Sequence, residues 1–460
     1  MKEEALRMDR VTLTEQGIRL LDNFNFQIFK GEVMGLISLD SHGLDTLLTL
    51  LCENRPLYFG YVYLGEKLVN SYAAAIHSDN NVFVIMHEEA LVRQLSIAEN
   101  IFILRSGYRG HFISRRQIRT QLEIQLKELG IDTAFHGPIS KMSRCELYIS
   151  EILKAVIARS ELIVLYDPFS LLDSNDMQLL YHVIRHYAAE GQAFLYIGTR
   201  EEDLLQICDR ISVMKDGHIV QICSTDSRGQ ELITHYLSAS KNRDTSLRLP
   251  VSGPESRPVI FRCTDLMHGS FGPFSFDIRE GEFLIITSDD RTFGDHLTMG
   301  LTMEDGCSGE ILIRGRKQNR RNLHEIAVIL ENPAESMLFG HMSYEDNLTI
   351  SLGRRIPEIW GNRQTRLGIA REIFGEELPD LSLPVHQLSM LQKYQLVYTR
   401  VRLQQPSVIF CILPYLNVNL VIRDYIYRQL KAFRDEGTAV VVISVNPDNL
   451  QELADRRLHL

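Results

Sequence analysis

The run GEVMGLISLDSHGLDTLLTLL, Gly31 to Leu51, decides how the rest of the chain is read. Val33 to Ile37 form a short apolar run of strand length, and Leu47 to Leu51 read as an apolar helix start. Between them lies SLDSHGLDT, Ser38 to Thr46, a polar loop. A buried strand, a tight loop and a helix form one unit of an α/β fold. The strand wording returns 250 residues later as GEFLIIT, Gly281 to Thr287.

The repetition extends outward from that run. LLDNFNFQIFK precedes the first copy and FGPFSFDIRE the second. GYVYLGEKL and SGEILIRGR follow them, each a strand closed by a glycine turn. LSIAENIFI, Leu95 to Ile103, answers MSYEDNLTI, Met342 to Ile350, and the apolar strands LIVLYDP and VIFCILP both end in proline. Self-similarity on this scale means two copies of one domain. We expect a first domain over 1–237, a linker over 238–258 and a second domain over 259–460. The linker SASKNRDTSLRLPVSGPESRP is polar, Pro/Gly/Ser-rich and aperiodic. Strands alternate with amphipathic helices such as RRQIRTQLEIQLKELG, whose Ile118, Leu122, Leu126 and Leu129 recur at helical spacing. That alternation predicts mostly parallel sheets covered by helices.

The 460 residues suffice for two or three domains. No apolar run approaches the roughly 18 residues of a membrane span, and the charged start MKEEALRMDR has no signal-peptide core. We therefore expect a cytoplasmic protein. A net charge of -10 argues against nucleic acid as partner. The seven cysteines show no CxxC spacing, so neither a disulfide frame nor a zinc site is expected.

Several ordered segments resemble the ATP-binding cassette (ABC) family, in particular the tandem-cassette ATP-binding subunits of ribose- and galactose-type sugar importers. They are SIAENIF at Ser96, EILKAV at Glu151, CDRISVMKDGHIV at Cys208 and LENPAESMLFGHMS at Leu330. The resemblance covers nearly the whole chain. It implies an α/β fold of two P-loop NTPase-like cassettes, each with a helical subdomain. It also implies ATP with magnesium as cofactor and a transmembrane permease as partner, with a sugar-binding protein engaged indirectly. The chain would then sit on the inner face of the cell membrane through that partner.

The residues at the family's nucleotide positions depart from its pattern. A phosphate loop GxxxxGK[ST] needs glycines whose amides converge on phosphate, a lysine charge and a hydroxyl for magnesium. In the first half the initial glycine is Ser38, Gly43 remains, the lysine position is Leu44, and Asp45 and Thr46 follow. Asp45 reads either as a carboxylate that recruits magnesium or as a helix N-cap replacing the anion. In the second half, SDDRTFGDH, the lysine position is Gly294, followed by Asp295 and His296. Asp295 repeats Asp45 in register.

The other positions follow the same course. The Walker B pair is Tyr166-Asp167 in the first half and Ile412-Leu413 in the second. Asp167 reads as a weak general base or as a surface carboxylate at a strand end; Ile412 and Leu413 read as core. The Q-loop position is His87 and the switch-histidine positions are Thr199 and Val445. The adenine-stacking aromatic falls near Glu15, so stacking is lost. The signature positions keep Ser143 and Ser389 without their glycines. By resemblance, one composite site would join Gly43, Thr46, His87 and Asp167 with Ser389. The other would join Ser288 to His296 with Ser143. ATP and magnesium binding are expected to be weak or absent, and no other metal site is expected.

Three functions remain open on these residues. The first is a non-hydrolysing cassette pair serving as scaffold or regulator of sugar uptake. The second is an ATPase driving sugar import, and the third a soluble protein with another ligand in the old cleft. Asp45, His87 and Tyr166 would line such a pocket.

Overall fold

The computed structural model describes residues 2–15, 17–40, 42–73, 80–86, 91–92, 95–102, 115–131, 139, 142–168, 172, 174–240, 257–269, 271–288, 292–302, 307–319, 322–350, 380–416, 418–445 and 450–460. His87, Asp289 and Asp290 and most of the expected linker lie outside them. The chain divides into two compact units, Met1–Arg243 with Asn419–Val421, and Asp244–Val418 with Ile422–Leu460.

The first unit begins with β1 (Glu4–Glu15), β2 (Ile18–Phe29), β3 (Val33–Ser38) and α1 (Leu44–Cys52). β4 (Phe59–Leu64), β5 (Lys67–Ser71), β6 (Val82–Ile85), α2 (Ile97–Phe102), α3 (Arg115–Glu128) and α4 (Arg144–Ile157) follow. It closes with β7 (Leu162–Tyr166), α5 (Ser174–Ala189), β8 (Ala193–Ile197), α6 (Glu201–Ile207), β9 (Arg210–Lys215), β10 (His218–Ser224) and α7 (Ser227–Ser240). An antiparallel sheet has the order β2-β1-β4-β5; a second sheet has the order β10-β9-β3-β8-β7-β6. Within the latter, β9, β3, β8, β7 and β6 run parallel. β3 and β8 are buried at every position, as expected of strands covered on both faces. The helix expected from RRQIRTQLEIQLKELG is α3, with Ile118, Leu122 and Leu126, and Leu129 just beyond it, all buried.

The second unit repeats the plan. It runs β11 (Val259–His268), β12 (Phe271–Arg279), β13 (Phe283–Thr287), α8 (Phe293–Thr302), β14 (Cys307–Ile313), β15 (Arg316–Lys317) and β16 (Ile326–Ile329). α9 (Pro333–Ser336), α10 (Tyr344–Thr349), α11 (Met390–Gln404), β17 (Val408–Ile412), α12 (Leu420–Asp435), β18 (Ala439–Ile443) and β19 (Arg456–His459) complete it. Its sheets have the orders β12-β11-β14-β15 and β16-β17-β18-β13-β19, and the second is parallel throughout. Both units are thus α/β cassettes carrying helical segments, and the chain is a tandem of them.

The duplication reaches individual side chains. Glu32 accepts the Phe29 amide at 2.8 Å and pairs with Arg210 at 2.6 Å. Glu282 accepts the Arg279 amide at 2.7 Å and pairs with Arg456 at 2.8 Å. Asn100 bonds both the amide and the carbonyl of Val92, as Asn347 does with Phe339. These buried groups satisfy backbone that would otherwise be orphaned, so the fold requires them in both copies.

Candidate functional site

In an open parallel sheet, ligands sit beyond the carboxyl ends of the strands. In the first unit that region holds the loop from β3 to α1. Gly43 is the N-cap of α1, with φ 80 and no side-chain cap. A Cβ there would lie 2.2 Å from the Leu20 carbonyl, so only glycine fits. The expectation of Asp45 as N-cap is therefore corrected: Asp45 is the second residue of the helix, exposed, in its first turn. Its charge still faces the positive end of the helix dipole.

The carboxylate that organises the loop is Asp40. Its Oδ1 accepts the His42 amide at 2.9 Å and its Oδ2 accepts the Asp216 amide at 2.8 Å. The Ser38 hydroxyl donates to the Asp40 carbonyl at 2.6 Å, and His42 Nε2 lies 2.7 Å from the Arg19 carbonyl. One loop amide that a phosphate could have used is thus taken by the chain's own carboxylate. Leu44, at the lysine position, is 5% exposed and packs in the core with Leu47 and Leu48. Thr46 is half-buried in the first turn of α1.

Asp167 is not a surface carboxylate. It is buried, with φ 40, and its amide donates to the Ile197 carbonyl at 2.7 Å. Its charge acts on Asp203, Tyr148 and Tyr196. Burial, reinforced by Asp167, pushes the Asp203 carboxyl up to about 6, while Arg200 and a Tyr181 hydrogen bond pull it back. Burial also raises Tyr148, Tyr181 and Tyr196. A mostly buried group of acid and phenol side chains therefore lies behind the strand end. Tyr166 packs partly into the core, and Thr199 is half-buried at the end of β8.

The equivalent region of the second unit is filled by its own side chains. A Cβ on Gly294 would come within 2.7 Å of Ile412 Cγ2. The lysine position and the magnesium-aspartate position therefore pack against each other. Leu413 repeats the left-handed backbone of Asp167, with φ 43. Phe271 stacks on His296 at 4.5 Å and 21°, and Phe274 meets Phe293 edge-on at 5.2 Å. Ser288 and Val445 lie half-buried beside this region, and Asp295 is exposed in the first turn of α8.

Ser143 and Ser389 have a structural reason to be serine. Ser143 Oγ accepts the Glu146 amide at 3.1 Å, and Glu146 accepts the Ser143 amide at 2.7 Å. Ser389 and Gln392 form the same capping box at the start of α11. The patterns SRCE and SMLQ carried that signal in sequence. Asp40, by contrast, was missed, although an Asp early in a tight loop is a turn signal.

Among the described residues no group of three or more His, Cys, Asp or Glu could hold a metal ion, and no helix is long and apolar enough to cross a membrane.

Comparison with known proteins agrees with this architecture. The ABC transporter family model matches residues 21–170. A putative ribose/galactose/methyl galactoside import ATP-binding protein of Agrobacterium fabrum is 25% identical over 98% of this chain and 91% of its own length. A xylose import ATP-binding protein of Moorella thermoacetica is 25% identical over 100% of this chain and 95% of its own. The crystal structure of a complex of archaeal ribosomal stalk protein aP1 with the archaeal ribosome recycling factor aABCE1 shares the fold. Its TM-score is 0.59 at 15% identity, covering 98% of this chain and 87% of that one. Residues 21–170 thus match the ABC transporter family, and over nearly its whole length the chain, a tandem of two α/β units, is similar to ATP-binding proteins of simple-sugar import.

Proposed function

We propose that this chain is a non-hydrolysing member of a sugar-uptake system, acting as a scaffold or regulatory module on a transmembrane permease. The observation that carries this reading is the packing of Gly294 against Ile412. Catalysis of phosphoryl transfer is positioning plus charge, supplied by a lysine, magnesium and the carboxylates that hold it. In the second cassette those positions hold a glycine and an isoleucine in van der Waals contact. In the first, the lysine position is core leucine and a loop amide is taken by Asp40. Losing several such parts together removes orders of magnitude in rate.

The permease as partner rests on the relatives, which are named as import ATP-binding proteins. It is supported by exposed apolar side chains beside α10: Phe339, Met342 and Ile350 are 54%, 36% and 47% exposed. We infer that these helical segments retain a partner surface while the nucleotide positions have lost theirs. By the same reading the chain works at the inner face of the cell membrane, with its boundaries at 1–237, 238–258 and 259–460.

One observation favours a second reading. Asp167 is held in a buried, strained position at the end of β7, where a general base would stand. An ATPase confined to the first cassette would use it. Phosphate release from ATP separates the two. The proposal expects background rates; a rate well above background, abolished by Asp167→Asn, supports the ATPase. Recovery of a membrane permease on purification from native cells supports the scaffold, and its absence from the membrane fraction counts against it.

A further inference from the structure

The second unit holds a contact that neither reading uses. His268, the last residue of β11, and His296, in the first turn of α8, face each other through their Nδ1 atoms at 2.7 Å. Two ring nitrogens this close need one hydrogen between them: one donates and the other accepts with its lone pair. With no extra proton the pair satisfies that rule. With one, the bond becomes charge-assisted and stronger. With two, both nitrogens carry hydrogens and both rings carry charge, so the contact cannot persist.

Among the described residues nothing nearby pairs with that second charge. The other ionisable groups on the packed elements are few. Asp295 is exposed beside His296 on α8, and Asp265 on β11 accepts from the Ser275 hydroxyl. Glu310 on β14 pairs with Lys317, and Asp277 on β12 pairs with Arg456. Arg262 and Arg279 on β11 and β12 add positive charge, and Arg279 donates to the Arg257 carbonyl. Cys307, opposite His268 in the ladder to β14, directs its thiol to the Met299 carbonyl. Among the described residues no carboxylate forms an ion pair with either imidazole. Phe271, stacked on His296, holds that ring in place by its face.

We propose that His268 and His296 form a proton-operated latch, closed with at most one extra proton and opened by a second. Opening frees the first turn of α8 from β11 and uncovers the aromatic group of Phe271, Phe274 and Phe293. Opening takes up a proton, so acidification drives it. Each further pH unit of acidification then favours the open form about tenfold.

The test is amide-exchange protection of the first turn of α8, corrected for intrinsic rates, at pH 7.5 and 5.0. It uses the full chain, His268→Ala, His296→Ala and the double variant. The latch predicts a coupling between the two histidines that falls at least tenfold between pH 7.5 and 5.0. Equal coupling at both pH values overturns it. Should the variants misfold, nitrogen-15 histidine spectra of the unaltered chain decide. The latch expects one ring to stay unprotonated at Nδ1 until the α8 amides lose protection. Full protonation of both rings with protection intact overturns it.

Discussion

Gly294 and Ile412 are in contact: any side chain at residue 294 would come within 2.7 Å of Ile412 Cγ2. Gly294→Ala would gain about 1 kcal/mol of helix propensity but incur about 1–3 kcal/mol of overpacking. We expect net destabilisation of the second unit. Ile412→Ala alone should cost about 2–5 kcal/mol. The double variant should be more stable than the sum of the singles, because the small residue vacates the space. Urea unfolding of the four proteins gives the cycle; strict additivity would show that the two residues do not compete for one volume.

Restoring a lysine does not restore a site. Leu44 packs in the core of the first unit. Leu44→Lys loses about 1.5–3 kcal/mol of apolar burial and sets an ammonium against that core. We expect a lower urea midpoint and unchanged ATP binding.

Asp40 holds two backbone amides from different segments. Asp40→Ala leaves both without this acceptor and should cost about 1–3 kcal/mol. Asp40→Asn keeps one carbonyl acceptor and should cost less. Thermal unfolding ranks the three proteins; an Asp40→Ala protein as stable as the parent would remove Asp40 from this role.

The capping boxes give a further comparison. Ser143→Ala and Ser389→Ala should each cost about 1 kcal/mol, whereas Ser143→Asp and Ser389→Asp should cost little. A strict need for serine would instead point to a ligand contact.

Much of this architecture was readable in the sequence, for particular reasons. GEVMGLI and GEFLIIT are strands because parallel strands buried on both faces are continuous apolar runs. The amphipathic run of α3 was legible from its spacing alone. The β3–α1 loop was legible only in outline. Its place followed from its flanks, but which carboxylate closes it depended on backbone geometry. Asp45 looked like a cap beside the apolar run, yet the N-cap lies two residues earlier, at Gly43, and Asp40 takes the His42 amide. The contact of Gly294 with Ile412 and the His268–His296 pair join residues 118 and 28 positions apart. Neither leaves a local pattern.

Asp203 gives a pH signature. Its folded value of about 6 lies above the ordinary 3.8 because the carboxyl is buried and near Asp167. Between those values the folded chain holds a proton that the unfolded chain has released. Stability from this group therefore falls as pH rises through the window from 3.8 to about 6, then stays level. The penalty at neutral pH is on the order of 3 kcal/mol. Asp203→Asn should accordingly be stabilised relative to the parent at pH 8, with the gain shrinking towards pH 4. A difference independent of pH would contradict the assignment.

Isothermal calorimetry of the full chain with ATP, with and without magnesium, tests the central claim most directly. The account predicts no binding in the micromolar range under either condition. Micromolar, magnesium-dependent binding that Asp167→Asn abolishes would contradict it.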